Sequence, residues 1–371
     1  MLPVQMMNPI RMNRNGLETG LLYWLVHFLV EIMSFSLLGC KMPIEIVGLT
    51  ALMFDALAFV PQAFFGLFIQ KFRKVDLASI AVAMLGLSVI MFAFETTLPV
   101  IIGVVLLALG NAILHEYGAI ETVRDSKGAI APSAIFVGGG SFGLVLGKFF
   151  FTLGISTYFL LIPVGLLEVL VLILRQRSQR CDCEQESFPI FDYCRPKASP
   201  VLVIVLVIVI TAVRGYIGYA IPISWCEGFG DFLMLYFFMG TGKMLGGILT
   251  DRFGAGNVGV VSALACIPFL ILGANNTFLS VIGVMMFSMT MAITYGMGLS
   301  VIPNLPGVAF GATTIGLFIG TFVTIFFKPD KSASTVLVVS MSVLCSVLFA
   351  LVLKTGLGKK KKGKVSSGDS I

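Results

Sequence analysis

Charge is what this 371-residue sequence has least of: Asp, Glu, Lys and Arg make up 12% of it, against 57% hydrophobic residues. Water-soluble globular proteins carry roughly 25% charged residues, so the solvent for most of this surface is lipid. Histidine and tryptophan are scarce, with two of each, and a histidine inside an apolar run therefore stands out. Phosphate loops of the Walker type, HExxH, GxSxG and paired CxxC motifs are missing. Their absence argues against ATP-driven transport by this chain and against the common hydrolase chemistries, so an enzyme is not expected. No soluble domain is present to carry nucleic-acid recognition. The seven cysteines (Cys40, Cys181, Cys183, Cys194, Cys226, Cys266, Cys345) are too scattered for a disulfide framework. The grouping Cys181, Cys183, Cys194 lacks a second CxxC pair and nearby histidines, so neither a metal nor a cofactor is expected.

What is there is a series of apolar runs of about 20 residues, the length that crosses a bilayer as a helix. They are Leu17 to Leu38, Ile46 to Ile69, Leu77 to Phe94, Pro99 to Ile120, Ala131 to Thr152 and Tyr158 to Leu174, then Val201 to Ile221, Phe232 to Thr250, Val258 to Gly273, Leu279 to Ile302, Val308 to Phe327 and Val336 to Leu353. The first run is read as retained, since Pro3 and Pro9 precede it and no small-residue cleavage pattern follows. Threaded from a cytoplasmic N-terminus, the twelve spans place 19 of the 25 Lys and Arg residues on the cytoplasmic side. Only Lys41, Lys328 and Lys331 fall outside, with Lys148, Arg214 and Lys243 within spans. This is the positive-inside rule obeyed loop by loop, and it predicts a multi-pass plasma-membrane protein with both termini cytoplasmic.

The one long polar connection divides the spans six and six. The expected organisation is an N-terminal six-helix bundle (1–174), a cytoplasmic linker (175–200), a C-terminal six-helix bundle (201–354) and a basic, disordered tail (355–371) held near anionic lipid. The two halves echo each other. Gly66, Gln70, Lys71 and Arg73 follow span two, and Gly247, Asp251, Arg252 and Gly254 follow span eight, 181 positions on. Gly139, Gly143 and Gly147 in span five lie four apart, and Gly316 and Gly320 in span eleven repeat the first two at an offset of 177. A duplicated six-span unit explains both, and such repeats place a site between two bundles near the midplane.

These residues resemble the major facilitator superfamily. Gly247, Asp251, Arg252 and Gly254 are similar to its signature after the second span of each half, with Gln70 replacing the acid and Arg73 the final glycine in the first half. The resemblance implies an all-α membrane fold of twelve helices in two pseudo-symmetric six-helix bundles. It also implies that spans one, four, seven and ten line a cavity and that Asp251 and Arg252 latch a cytoplasmic gate. Gly139, Gly143 and Gly147 are similar to the superfamily's antiporter motif without its proline; close packing of helices through small residues explains the same pattern. Gly110, Asn111, Ala112 and His115 resemble the fosmidomycin-resistance branch.

Charged groups at bilayer depth cost about 2.5 to 3.5 kcal/mol each, so they face a bundle interior, pair, or line a wet path. Tyr23, His27 and Glu31 recur every four residues, with Ser34 beyond them, as one stripe of span one. An imidazole beside a carboxylate passes protons near neutral pH. In span four Asn111 and His115 share a face, while Glu116 is turned about 100° away; Glu121 and Arg124 suit a structural ion pair. Arg214 lies in span seven near Tyr219, is suited to holding an anion, and is expected to face Glu31 or His27. Tyr295 in span ten offers hydrogen bonding, and Gly296 and Gly298 before Pro303 suggest a bend. Asp55 and Lys148 are expected to pair near the outer side, and Lys243 to snorkel toward Asp251. Glu168 has no evident partner.

The combined expectation is a monomeric, proton-coupled secondary transporter, with a small anionic or zwitterionic substrate and a pathway of His27, Glu31, Asn111, His115, Glu116, Arg214, Tyr219 and Tyr295. A drug or metabolite efflux antiporter on the same architecture is the alternative. A non-transporting receptor or scaffold of this fold would be expected to have lost the buried charges.

Overall fold

The structure, a computed structural model, describes residues 13–39, 47–72, 75–181, 188–191, 196, 198–327 and 329–353. The tail, the Cys183 and Cys194 positions of the connection, and the side chains of Cys181 and Tyr219 lie outside the described residues. Among those described, eleven helical spans are long and apolar enough to cross a membrane, and Leu77–Phe92 is a shorter apolar helix. Together they make up the expected twelve.

The first six spans are α1 (Arg14–Gly39), α2 and α3 (Val47–Phe59 and Gln62–Lys71, one broken span), α4 (Leu77–Phe92), α5 (Thr97–Arg124), α6 (Ala131–Thr152) and α7 (Leu161–Cys181). The second six are α8 (Pro200–Ala220), α9 (Phe229–Phe253), α10 (Ala255–Leu272), α11 and α12 (Thr277–Ser288 and Thr290–Val301, again one span), α13 (Pro306–Phe326) and α14 (Lys331–Val352). Polar residues just before several helices set where they start. Asp76, Ser199, Asn276 and Asp330 each accept a hydrogen bond from a first-turn N–H, satisfying a donor the helix cannot. Large apolar side chains such as Phe64, Leu98, Ile162, Val201, Leu272 and Leu351 are exposed on the outer faces, as a lipid solvent requires.

Both broken spans have local causes. Pro61 has no N–H and interrupts the second span; Thr314 of α13 donates to the Phe59 carbonyl at the break, at 3.0 Å. In the tenth span the interruption is a single residue, Met289, whose N–H bonds three residues back to Met286. It lies a turn or more before the glycines at which a bend was expected. Gly242 and Gly246 of α9 press on the Met285 and Met289 carbonyls there.

The four-spaced glycines hold each half together. Gly139, Gly143 and Gly147 lie against the backbone carbonyls of Trp24, Phe28 and Ile32, so the main chains of α6 and α1 approach closely at these three points. Gly316 and Gly320 bring α13 onto Ile208 and Ala212 of α8 in the same way. The halves then meet along two seams. On one, α6 packs on α9, with Gly138 against Gly240 and Met244, and Gly247 against Ala134. On the other, α2 and α3 pack on α13, with Gly66 against Gly307 and Gly311 against Ala63.

Candidate functional site

The His27 and Glu31 stripe of α1 and the Asn111 and His115 face of α5 meet inside the N-terminal half. Each ring nitrogen Nδ1 lies beside a backbone carbonyl: His27 by Phe136 O at 3.0 Å and His115 by Asn111 O at 2.8 Å. A carbonyl only accepts, so both Nδ1 atoms carry hydrogen. The two Nε2 atoms face each other at 2.8 Å, and two lone pairs make that contact only with a proton between them. Glu31 Oε1 stands 3.5 Å from the His115 Nε2 and 3.8 Å from that of His27, placing an acid beside the charge such a pair would carry. Asn111 Nδ2 donates to Glu31 Oε1 at 3.0 Å and to Ser34 Oγ at 3.1 Å, fixing the carboxylate from its other side. Glycine at 140 makes room for this: a Cβ there would collide with the His27 ring.

The donor atoms of His27, Glu31 and His115 all lie within 4.8 Å of one another, the arrangement among the described residues that comes nearest a metal site. Two nitrogens on one tetrahedral ion at about 2.0 to 2.1 Å stand about 3.3 Å apart, wider than the observed 2.8 Å. As built, the cluster suits a proton better than an ion.

Arg214 does not join this cluster, contrary to expectation. Among the described residues it forms no ion pair. Its guanidinium stands 5.7 Å from the Phe287 ring centroid, near Cys345, and its Nε is buried with no hydrogen-bond partner. Thr211 and Gly215 turn one face of α8 onto α13, which carries Arg214 round toward α11. The cation whose charge reaches Glu31, His27 and His115 is Lys243, which also acts on Arg214. Gly240 and Gly247 seat one face of α9 on α6, and Gly242 and Gly246 seat another on α11. At 100° per residue Lys243 falls between those faces, toward the centre. It therefore does not turn to Asp251, and those flanking glycines were the signal in the sequence for its direction.

The remaining charged residues are placed as follows. Asp55 and Lys148 do not pair: Lys148 lies over the rings of Phe35, Phe232 and Tyr236 at 5.6 to 6.0 Å, and the charge of Asp55 is felt at Glu31. Glu168 has a partner after all, accepting from Ser79 Oγ at 3.1 Å. Glu121 and Arg124 form an ion pair at 2.6 Å. Asp251 accepts from the N–H groups of Ile130 and Ala131 at 2.8 and 2.9 Å, where α6 begins. Arg252 is exposed over the Phe253 ring, at 5.4 Å. Tyr295 donates to Ala119 O at 3.0 Å, bridging the halves. Gln70 bridges them too, donating to Asn304 O at 3.1 Å. Glu116 turns away from His115 into the second seam, fully buried. Two clefts, of about 400 and 240 Å³, open within the N-terminal half around Tyr23, Glu121, Arg124 and Leu174.

Among the described residues twelve spans form two glycine-packed halves that meet along two seams, the architecture expected from the resemblance to the major facilitator superfamily. No protein-family model matches the sequence, and no curated protein does. Solved structures do. The chain is similar to the human organic anion transporter MFSD10 (TETRAN), with a TM-score of 0.62 and 13% identity over 91% of this chain and 99% of that one. It is likewise similar to the E. coli fucose:proton symporter FucP, with a TM-score of 0.60 and 14% identity over 92% of this chain and 100% of that one. At such identities the likeness speaks for the fold alone.

Proposed function

We propose that the protein is a secondary transporter that moves a small anionic or zwitterionic solute by alternating access, coupled to protons, in the plasma membrane with both termini cytoplasmic. The observation that carries this reading is the contact of two imidazole Nε2 atoms at 2.8 Å beside Glu31. It is a proton-binding device buried in a membrane fold, where polar groups without a task are costly. Lys243 and Arg214 supply positive charge from the other half, suited to a carboxylate, phosphate or sulfonate. With Glu31 charged, Lys243 is held by it; with Glu31 protonated, Lys243 is released to the solute, so proton and solute bind together. Two of the similar structures, an organic anion transporter and a fucose:proton symporter, agree with this class.

Asp251 on the α6 N-terminus, Gln70 on Asn304 and Tyr295 on Ala119 join the halves. In this reading those contacts form the gate, shut at the basic end. The test is uptake into proteoliposomes driven by a pH gradient, over a panel of organic anions, sugars and drugs. Glu31→Gln is expected to abolish gradient-driven accumulation while sparing solute exchange. Undiminished accumulation by that variant would overturn the assignment.

A further inference from the structure

Glu116 lies in the second seam, apart from the His27, Glu31 and His115 cluster. It is 0% exposed, and neither carboxyl oxygen has a hydrogen-bond partner. Glycine backbone from both halves lies against one of them. A methyl group added at Gly66 would stand 2.7 Å from Glu116 Oε2 and 2.6 Å from the Gly307 Cα; one added at Gly307 would stand 2.6 Å from the same oxygen and 2.5 Å from the Gly66 Cα. The carboxyl is thus sealed where α3 of one half touches α13 of the other, and the two glycines are what let the helices close over it.

The groups around it offer no counter-charge. α13 holds no ionisable residue, α2 only Asp55, an acid whose charge is felt at Glu31, and α3 only Lys71, which lies over Phe72 at its exposed end. From α12 the neighbour is Tyr295, whose hydroxyl is given to Ala119 O and Pro306 O. On α5 itself His115 turns to His27, and Glu121 pairs with Arg124. Among the described residues Glu116 takes part in no ion pair. Leaving a carboxylate buried without partners costs far more than binding a proton, so such a group neutralises. Parting the seam would return water to it and remove that compulsion.

We propose that Glu116 is a second proton-binding site, separate from the histidine cluster, which must take up a proton each time the α3–α13 seam closes and gives it up when the seam opens. The proposal rests on the alternating-access reading but not on the solute or on the histidines. It makes closure of one gate a protonation event in its own right.

The test is infrared difference spectroscopy together with hydrogen–deuterium exchange, both on the full-length protein in lipid nanodiscs. A carbonyl stretch of a protonated carboxylic acid is expected in the wild type under conditions that protect segments 62–72 and 303–314, and is expected to be missing from Glu116→Gln. Raising the pH from mildly acidic to mildly alkaline should lower wild-type protection of those segments by at least about tenfold. Glu116→Gln should stay protected throughout, and Gly66→Ala should be unprotected throughout. Wild-type seam protection that ignores pH, or a Glu116→Gln protein that follows the wild-type profile, overturns the proposal. Should Glu116→Gln fail to fold, the wild-type profile and its carbonyl band still decide. Glu31→Gln separates the two readings: it should lose gradient-driven uptake yet keep the seam's response to pH.

Discussion

The two halves share a skeleton and differ in their chemistry. Gly139 and Gly143 on the backbone of α1 and Gly316 and Gly320 on that of α8 build the same helix pair twice. Within the first pair's half a connected run of polar contacts passes through His27, His115, Glu31, Asn111 and Ser34. Toward the centre the second half turns two cations, Arg214 and Lys243, with no acid bonded to either among the described residues. Close packing through glycine is what a duplicated fold cannot give up, whereas the side chains facing the centre are free to specialise. The gate contacts show the same divergence: Asp251 takes two N–H groups at the start of α6, while its counterpart Gln70 gives one hydrogen bond to the carbonyl of Asn304, just before α13.

This contrast can be broken at several points. The largest effect is expected from His115→Ala, which leaves His27 Nε2 and Glu31 without their partner; proton-driven uptake should fall by about 100-fold or more, measured in proteoliposomes at fixed pH gradient. Lys243→Met tests the other half, and is expected to raise the solute concentration needed for half-maximal uptake by about tenfold, an anion contact of about 1.4 kcal/mol. A neutral solute should be spared, and equal loss for both would argue against an anion site. If the skeleton is truly shared, Gly139→Ala and Gly316→Ala should cost similar amounts, about 1 to 3 kcal/mol each for overpacking, read as matched falls in thermal unfolding temperature. Asp251→Asn removes a charge-assisted bond worth about 1.5 to 3 kcal/mol, against about 0.5 to 1.5 for Gln70→Ala. Exchange protection at the start of α6 should therefore drop more than at the start of α13. The smallest change is expected from Lys148→Met, since its rings stand at the outer limit of cation–π range and methionine keeps an aromatic contact of its own, leaving a loss of at most about 0.5 to 1 kcal/mol.

Much of the fold was legible because lipid makes hydropathy decisive: uninterrupted apolar runs, and basic residues confined to alternate loops, leave few topologies. Contacts within one helix were legible as well, His27 to Glu31 and Asn111 to His115 each being four residues apart. Which helix a side chain reaches across a gap was not. Arg214 was expected to meet Glu31 because the seventh span lines a cavity in the resembling family, yet α8 is rotated by the seating of Thr211 and Gly215 on α13. Asp55 and Lys148 were expected to pair from their similar positions along their spans, yet Lys148 turns to Phe35, Phe232 and Tyr236 instead. Rotation of a helix about its axis follows from which small residues are pressed on which neighbour, and that is settled only when all the helices are assembled. Lys243 is the instructive miss, since the glycines at 240, 242, 246 and 247 mark two contact faces and leave its direction as the remainder.

Where Gly66 meets Gly307 and Gly311 meets Ala63, the mating surfaces are largely main chain. Interlocked side chains must change rotamer before two helices can separate, and each such change is an obstacle of its own. Bare backbone has no teeth to disengage, so these faces can come apart and re-seat like smooth plates, with wear confined to the few polar ties at the rim.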